Sequence, residues 1–149
     1  VTIFAGVPTM YWAILNHPNP EKFDLAKIAR NLRLACSGGS AMPVEVMRAF
    51  GEKFGVQILE GYGLSETSPV ATFNRLDRPP KPGSIGLPVW GVQVRLVDVQ
   101  DNDVPLGEMG EILLKGHNIM KGYYKRPDAT AEAIRGRWFH TGAAPRRER

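Results

Sequence analysis

The sequence predicts an α/β fold in two parts, a partial doubly wound layer over residues 1–75 and a β-rich subdomain over residues 76–142. Short apolar runs alternate with helical patterns in the first half, which is typical of a parallel sheet covered by helices. Prolines and glycines crowd residues 74–91, which suits a boundary. Apolar and polar residues then alternate as in half-buried strands, and residues 143–149 are predicted to form a disordered tail.

The first predicted elements are a strand over residues 1–4 and a helix from Pro8 to Asn16. Proline is tolerated in the first helical turn, because the N–H that it lacks would have no partner there. Pro18 and Pro20 end this helix, since proline cannot continue it.

A second strand and a second helix flank a glycine loop. The apolar run over residues 32–37 predicts the strand, and helical spacing of apolar side chains predicts a helix from Val44 to Phe54. Gly55 is the predicted cap of that helix. Residues 56–59 form the next predicted strand, which leads directly into further glycines.

The second half contains two predicted strands, over residues 92–99 and 110–114. Turn-forming residues separate them at 101–103 and 105–107. A short helix is predicted over residues 127–134, again with proline at its start.

The composition indicates a folded protein, because 43% of the residues are hydrophobic and 23% are charged. No apolar run approaches the roughly 20 residues of a membrane helix, and no basic segment of a secretory signal precedes the first apolar residues. A soluble, cytoplasmic protein is therefore expected. The single cysteine, Cys36, cannot form an intramolecular disulfide and is expected to be a buried small side chain.

Positive charge is concentrated at the end of the chain, where residues 121–149 hold eight basic and three acidic side chains. Such a cluster can attract the phosphates of a nucleotide, CoA or nucleic acid, although a solvated face or a frayed tail is the commoner cause. Because the sequence has no recognisable nucleic-acid-binding motif, no nucleic-acid partner is expected.

The most informative stretch is residues 61–69, GYGLSETSP, just past a predicted strand. Ligands of open α/β sheets collect beyond the C-terminal ends of the strands. Gly61 and Gly63 let the backbone approach a ligand closely, and Tyr62 offers a ring face to an aromatic base.

The polar half of this stretch suits a phosphate and its metal. Ser65 or Thr67 can donate to a phosphate oxygen, and Glu66 is a hard oxygen ligand of the kind that Mg²⁺ prefers. The alternative interpretation is a tight turn with a helix cap supplied by residues 65–68. A second glycine loop, residues 37–43, can present N–H groups to an anion or a base, but it also suits a plain turn.

Several segments in fixed order resemble the adenylate-forming enzymes, the superfamily of acyl-CoA synthetases, luciferases and peptide-synthetase adenylation domains. These segments are the two glycine-containing loops already described and residues 83–88, 107–112, 116–127 and 138–142. GYGLSET is most similar to bacterial fatty-acid and long-chain acyl-CoA ligases, because peptide-synthetase domains usually have proline in place of Leu64.

The resemblance implies a fragment of the family's large domain and a two-step reaction. A carboxylate, here a medium- or long-chain fatty acid, would attack the α-phosphorus of ATP to give acyl-AMP, and the CoA thiol would then displace AMP. ATP or AMP, Mg²⁺ and CoA are the implied ligands, and a peripheral membrane contact is allowed. The alternatives are a non-catalytic nucleotide- or acyl-binding module and an adenylation domain that loads a carrier protein.

The resemblance also implies roles for individual residues. Ser65 would contact the α-phosphate and Glu66 would hold Mg²⁺, which makes them the catalytic candidates. Val7 and Met10 would lie near the acyl chain, together with Gly38. The residues implied for nucleotide binding are Gly38, Gly39, Ser40, Gly61, Tyr62, Gly63 and Ser65.

The chain departs from the family pattern in two respects. Ala143 stands where the family has an aspartate that binds the ribose hydroxyls. The family's phosphate loop and its C-terminal domain with the catalytic lysine are also not found in these residues. The chain is therefore expected to begin and end inside the large domain, and the isolated fragment is expected to be inactive.

Overall fold

The computed structural model describes residues 1–79 and 81–146. These residues form two compact units whose sequences interleave. Unit 1 consists of residues 1–64 and 72–87, and unit 2 consists of residues 65–71 together with the chain from residue 88 onward. This division differs from the single boundary predicted near residue 75, because the contacts of residues 65–71 are with later parts of the chain.

Unit 1 is built on parallel strands, as predicted. β1 (Ile3–Gly6) pairs with β2 (Leu34–Ser37), and β2 pairs with β3 (Ile58–Gly63), both in parallel. The sheet has the order β1-β2-β3-β4-β5, and its last two strands, β4 (Val70–Phe73) and β5 (Leu87–Pro88), each contain residues of both units. The C-terminal ends of β1, β2 and β3 therefore meet at one edge of the sheet.

Three helices belong to this unit: α1 (Pro8–Leu15), α2 (Leu25–Asn31) and α3 (Val44–Phe54). The prediction of α1 and α3 is confirmed, and Gly55 caps α3 in the left-handed conformation with its N–H 2.8 Å from the Gly51 carbonyl oxygen. The sequence did not predict α2, whose N-terminus is capped by the side chain of Asp24. A 3₁₀ turn, Pro20–Lys22, precedes it.

The core of unit 1 forms around Tyr11, which is fully buried. Its ring packs edge-on against Phe4 and Phe50 at centroid distances of 5.1 and 5.0 Å, and its hydroxyl donates to the Cys36 carbonyl oxygen at 2.6 Å. Cys36 itself is half-buried rather than buried. The reason is the alternation of β2, in which the neighbouring residues occupy the buried face.

Unit 2 contains an antiparallel sheet of four strands. They are β6 (Gln93–Val97), β7 (Glu111–Lys115), β8 (Ile134–Arg135) and β9 (Trp138–His140), in the order β6-β7-β9-β8. Helix α4 (Pro127–Ala133) precedes β8. The predicted strands β6 and β7 and the predicted helix α4 are confirmed, whereas β8 and β9 were not predicted.

Part of the segment predicted to be a disordered tail is hydrogen-bonded. Ile112 N–H donates to the Ala143 carbonyl oxygen at 2.9 Å, and Gly110 N–H donates to the Pro145 carbonyl oxygen at 3.2 Å. Residues 143–146 therefore correct that prediction, while residues 147–149 lie outside the described residues. Nowhere in the described ranges does a helix have both the length and the apolar content that a bilayer crossing requires.

Candidate active-site residues

In unit 1, the glycine loop lies between the end of β1 and the end of β3. A Cβ added at Gly39 would lie 3.6 Å from Val7 Cγ1, and a Cβ added at Gly38 would lie 3.2 Å from the Gly61 carbonyl oxygen. The backbone angle φ of Gly39 is +83°, a conformation that favours glycine. The structure thus brings together Val7, the 37–43 loop and Gly61, which the sequence had linked only by resemblance.

Met10 lies in the same region of unit 1. Its Sδ is 3.3 Å from the position that a Cβ would take at Gly6, the last residue of β1. The side chains of Val7 and Met10 are 43% and 45% exposed, which leaves apolar surface beside the glycine loop. Ser40 is exposed on the loop itself.

Gly61, Tyr62 and Gly63 belong to strand β3, not to a loop as predicted. Gly61 is required by close packing, because an added Cβ would lie 2.4 Å from Cδ2 of Phe73. Strand β3 ends at Gly63, and Leu64 is the first residue after it.

Two buried hydroxyl oxygens in this unit, on Ser37 and Tyr62, have no hydrogen-bond partner within the described ranges. Buried hydroxyls are normally hydrogen-bonded, so these two groups are available to a bound molecule or to water.

Glu60 is a residue that the sequence reasoning missed. Its side chain is buried, and its two carboxylate oxygens accept from two separate loops, from Met42 N–H at 3.0 Å and from Gly83 N–H at 3.2 Å. It therefore ties the glycine loop to the 83–88 segment. The available signal was a carboxylate in an otherwise apolar strand, since such a group is seldom buried without partners.

In unit 2, Ser65, Glu66 and Thr67 form a single 3₁₀ turn. No helix follows it, because the chain enters β4, so the cap in the alternative interpretation is wrong while the turn is present. Thr67 is fully buried, and its hydroxyl donates to the Pro69 carbonyl oxygen at 2.6 Å. Ser65 is exposed.

Two contacts hold Glu66 within unit 2. Its Oε1 accepts from the Tyr123 hydroxyl at 2.9 Å, and its carbonyl oxygen accepts from Met120 N–H at 2.8 Å. The hydrogen bond to Glu66 raises the pKa of Tyr123, because only the protonated hydroxyl can donate it. Sequence periodicity gives no signal for a contact 57 residues apart.

Glu66 offers carboxylate oxygens, which are hard ligands of the kind that Mg²⁺ prefers. In residues 1–79 and 81–146, no group of three His, Cys, Asp or Glu side chains is placed to hold a metal ion. Mg²⁺ needs no such group, since it is commonly bound by one or two carboxylates together with substrate phosphates and water.

The segment around Ala143 is held by Glu111, a second residue that the sequence reasoning missed. Glu111 Oε1 accepts from Gly142 N–H at 2.9 Å, and Oε2 lies 3.2 Å from His140 Nδ1. Burial opposes ionisation of Glu111, but the hydrogen bond from Gly142 and the neighbouring His140 and Arg135 side chains outweigh it and lower its pKa. At Ala143 itself, the side chain offers only a methyl group.

The model of one family, described as AMP-binding enzyme, matches residues 1–124. The chain is 40% identical over 141 residues to the long-chain-fatty-acid–CoA ligase of Escherichia coli O6:H1, and this alignment covers 95% of this chain and 24% of that protein. It is 41% identical over 143 residues to the feruloyl-CoA synthase of an Amycolatopsis species, and this alignment covers 95% of this chain and 28% of that protein.

A solved structure gives the same assignment. The anthranilate CoA ligase AuaEII in complex with anthranoyl-AMP superposes with a TM-score of 0.86 at 34% identity, covering 96% of this chain and 27% of that one. This chain thus spans about a quarter of the length of these relatives. The family match over residues 1–124 and the shared α/β fold identify the chain as a member of the AMP-binding enzyme family, the adenylate-forming ligases.

Proposed function

We propose that the protein to which this chain belongs is an acid–thiol ligase that uses ATP to convert a carboxylic acid to acyl-AMP and then transfers the acyl group to CoA. The observation that carries the proposal is the convergence in unit 1 of Val7, Gly38, Gly39 and Gly61 at the C-terminal edge of parallel strands. Such an edge is where α/β proteins bind nucleotides. Proteins with CoA-ligase activity in their names share about 40% of this sequence.

Each residue has a defined part in this proposal. The glycine loop, residues 38–40, and β3, residues 61–63, form the nucleotide-binding surface, with the Tyr62 ring against the adenine. Ser65 is exposed and donates to the α-phosphate, whereas the Thr67 hydroxyl already donates to Pro69. The protein's contribution is the positioning of the carboxylate and the stabilisation of charge at phosphorus.

Glu66 would hold the Mg²⁺ that arrives with ATP. The Tyr123 hydroxyl donates to Oε1 of the same carboxylate, and Glu66 is the residue that would hold the cation. When bound, Mg²⁺ neutralises negative charge on the phosphates.

We further propose a medium- or long-chain fatty acid as the substrate. The half-exposed apolar side chains of Val7 and Met10 beside the glycine loop support this choice. Relatives named for a long-chain fatty acid and for a feruloyl group are about equally similar to this chain, so an aromatic acid is the competing substrate.

The test is ATP–pyrophosphate exchange by the full-length protein with a panel of acids, namely octanoate, palmitate, ferulate and benzoate. We expect exchange with the fatty acids and formation of the CoA thioester when CoA is added. Exchange with ferulate alone would overturn the fatty-acid proposal while leaving the ligase. Absence of exchange with every acid would overturn the ligase proposal.

A further inference from the structure

We propose that Tyr123 is a positioning residue that orients the Glu66 carboxylate for its cation. This inference rests on the proposed function. Its basis is the 2.9 Å hydrogen bond from the Tyr123 hydroxyl to Oε1 of Glu66, within unit 2.

The segment around Tyr123 holds Glu66 at two points. The tyrosine hydroxyl fixes the carboxylate, and Met120 N–H fixes the backbone by donating to the Glu66 carbonyl oxygen at 2.8 Å. Glu66 lies on a short 3₁₀ turn, and the backbone hydrogen bonds of such a turn do not fix the orientation of a long side chain. The orientation of this carboxylate therefore depends on groups from residues 120–123.

Tyr123 is itself held in place by the first turn of α4. Its N–H donates to Thr130 Oγ1 at 2.9 Å, and the Thr130 hydroxyl donates to the Arg126 carbonyl oxygen at 2.8 Å. Gly122 makes this approach possible, because a Cβ there would lie 2.7 Å from Thr130 Cγ2. These contacts connect α4 through Tyr123 to the Glu66 carboxylate.

A carboxylate fixed in this way loses little conformational freedom when it binds a cation, so less of the binding free energy is spent on ordering it. The hydroxyl donates to Oε1 and thereby fixes the orientation of the carboxylate that would hold the cation. If the hydroxyl instead competed with the cation for the carboxylate, its removal would strengthen cation binding. The two roles thus predict shifts of opposite sign.

The chain offers a matched control in the adjacent tyrosine. Tyr124 is 85% exposed, and its ring lies 5.2 Å from the Lys125 ammonium group. Like Tyr123→Phe, Tyr124→Phe removes one tyrosine hydroxyl group. That hydroxyl is one residue away and makes none of the described contacts to Glu66.

The experiment measures ATP binding to the full-length protein by calorimetry at graded Mg²⁺ concentrations, without acid or CoA. Tyr123→Phe should raise the Mg²⁺ concentration for half-maximal ATP binding about fivefold, since the lost hydrogen bond is to a charged group that is partly exposed. Thr130→Val should shift it in the same direction by a smaller factor. Tyr124→Phe should match the wild type, and in steady-state assays of Tyr123→Phe the Mg²⁺ requirement should rise more than kcat falls.

Three outcomes would overturn the proposal: an Mg²⁺ curve for Tyr123→Phe that matches that of Tyr124→Phe, a lower Mg²⁺ requirement, or a lower melting temperature with an unchanged curve. The proposed function is tested separately by the wild type. A wild-type protein that binds ATP and catalyses exchange leaves the ligase proposal in place whatever the variants show.

Discussion

Glu66 is the acidic side chain of the 61–69 stretch. Its surroundings allow its negative charge to be removed while its hydrogen bond is kept, so that a chemical role can be tested apart from a structural one. Its carboxylate accepts a hydrogen bond from Tyr123, which is itself 39% exposed. A glutamine at this position can still accept that hydrogen bond through its amide oxygen. What the substitution removes is the negative charge.

Glu66→Gln in the full-length protein should therefore lower turnover at least about 100-fold, because removal of a metal ligand costs more than loss of an outer-shell partner. The melting temperature should change by no more than about 3 °C, as expected for a substitution that costs under about 1 kcal/mol. ATP–pyrophosphate exchange and thermal melts measure the two effects, with Glu52→Gln on the exposed face of α3 as control. A wild-type rate would assign Glu66 to the turn alone.

Ala143 provides a second prediction for a single residue. An aspartate there should accept hydrogen bonds from both ribose hydroxyls, and charge-assisted hydrogen bonds contribute about 1.5–3 kcal/mol each. Ala143→Asp in the full-length protein should therefore tighten AMP binding about tenfold or more in calorimetric titrations. Ala144→Asp, one residue further along, is the control. Equal affinities of wild type and Ala143→Asp would mean that position 143 does not face the ribose.

Sequence reasoning at this scale identified residues with distinctive chemistry but not their partners. It singled out Glu66 and the two glycine loops, because few residue types suit a phosphate, a metal or a close backbone approach. It missed Glu60 and Tyr123, which act through contacts 23 and 57 residues away along the chain. Such pairings are set by the tertiary fold, and local residue patterns do not encode them.

At the scale of elements, two glycines of the loop before β5 make different demands. Gly83 and Gly86 both have positive φ, +76° and +84°. A Cβ on Gly83 would meet nothing within 4 Å, whereas a Cβ on Gly86 would lie 2.1 Å from the Phe73 carbonyl carbon.

Gly86→Ala should destabilise unit 1 by about 3 kcal/mol or more, because backbone strain and a steric clash add together. Gly83→Ala should lower the free energy of unfolding only by the backbone strain of its positive φ, about 1–2 kcal/mol. Urea unfolding followed by circular dichroism measures both losses. Losses of the same size would show that the β4–β5 connection does not need the close approach at Gly86.

The sheet of unit 2 provides a pH-dependent prediction through Glu111 on β7. The folded-state pKa of Glu111 is lowered, so its contribution to stability is complete above the unfolded-state pKa, about 4.3, and is lost as the pH falls through the folded-state value. In Glu111→Gln, the free energy of unfolding should therefore fall less steeply than in the wild type as the pH is lowered below about pH 5. Urea midpoints between pH 7 and pH 3 measure this, with exposed Glu108→Gln as control. If stability falls equally steeply below about pH 5 in Glu111→Gln and in the wild type, Glu111 does not contribute to the pH dependence of unfolding.

The elements that the sequence predicted are those with strong local signals. Helices α1, α3 and α4 have a proline at or just before the first turn, and α3 also has a capping glycine. Strands β8 and β9 are two and three residues long, too short for alternation to be visible, and they exist through pairing with each other and with β7. Strand β3 was predicted too short, because glycines normally mark the end of a strand.

At the scale of the whole molecule, the chain covers about a quarter of the length of its relatives. The isolated 149 residues should show no measurable acyl-adenylate formation, because they lack the phosphate loop and the lysine domain that the family resemblance implies. Each missing charge-stabilising group typically costs 10²–10³ in rate. ATP–pyrophosphate exchange by the fragment and by the full-length protein makes the comparison. Robust exchange by the fragment would contradict this prediction.

The interleaving of the two units has a consequence for biosynthesis. The chain passes from one unit to the other after residues 64, 71 and 87. During translation, unit 1 can acquire all its contacts only after residue 87 has left the ribosome, although its first 64 residues emerge earlier. Residues 65–71 emerge before any other part of unit 2 and must wait for the chain beyond residue 88. The nascent polypeptide therefore exposes the apolar surface of incomplete units over this interval, and chaperones that bind apolar segments can bind it then.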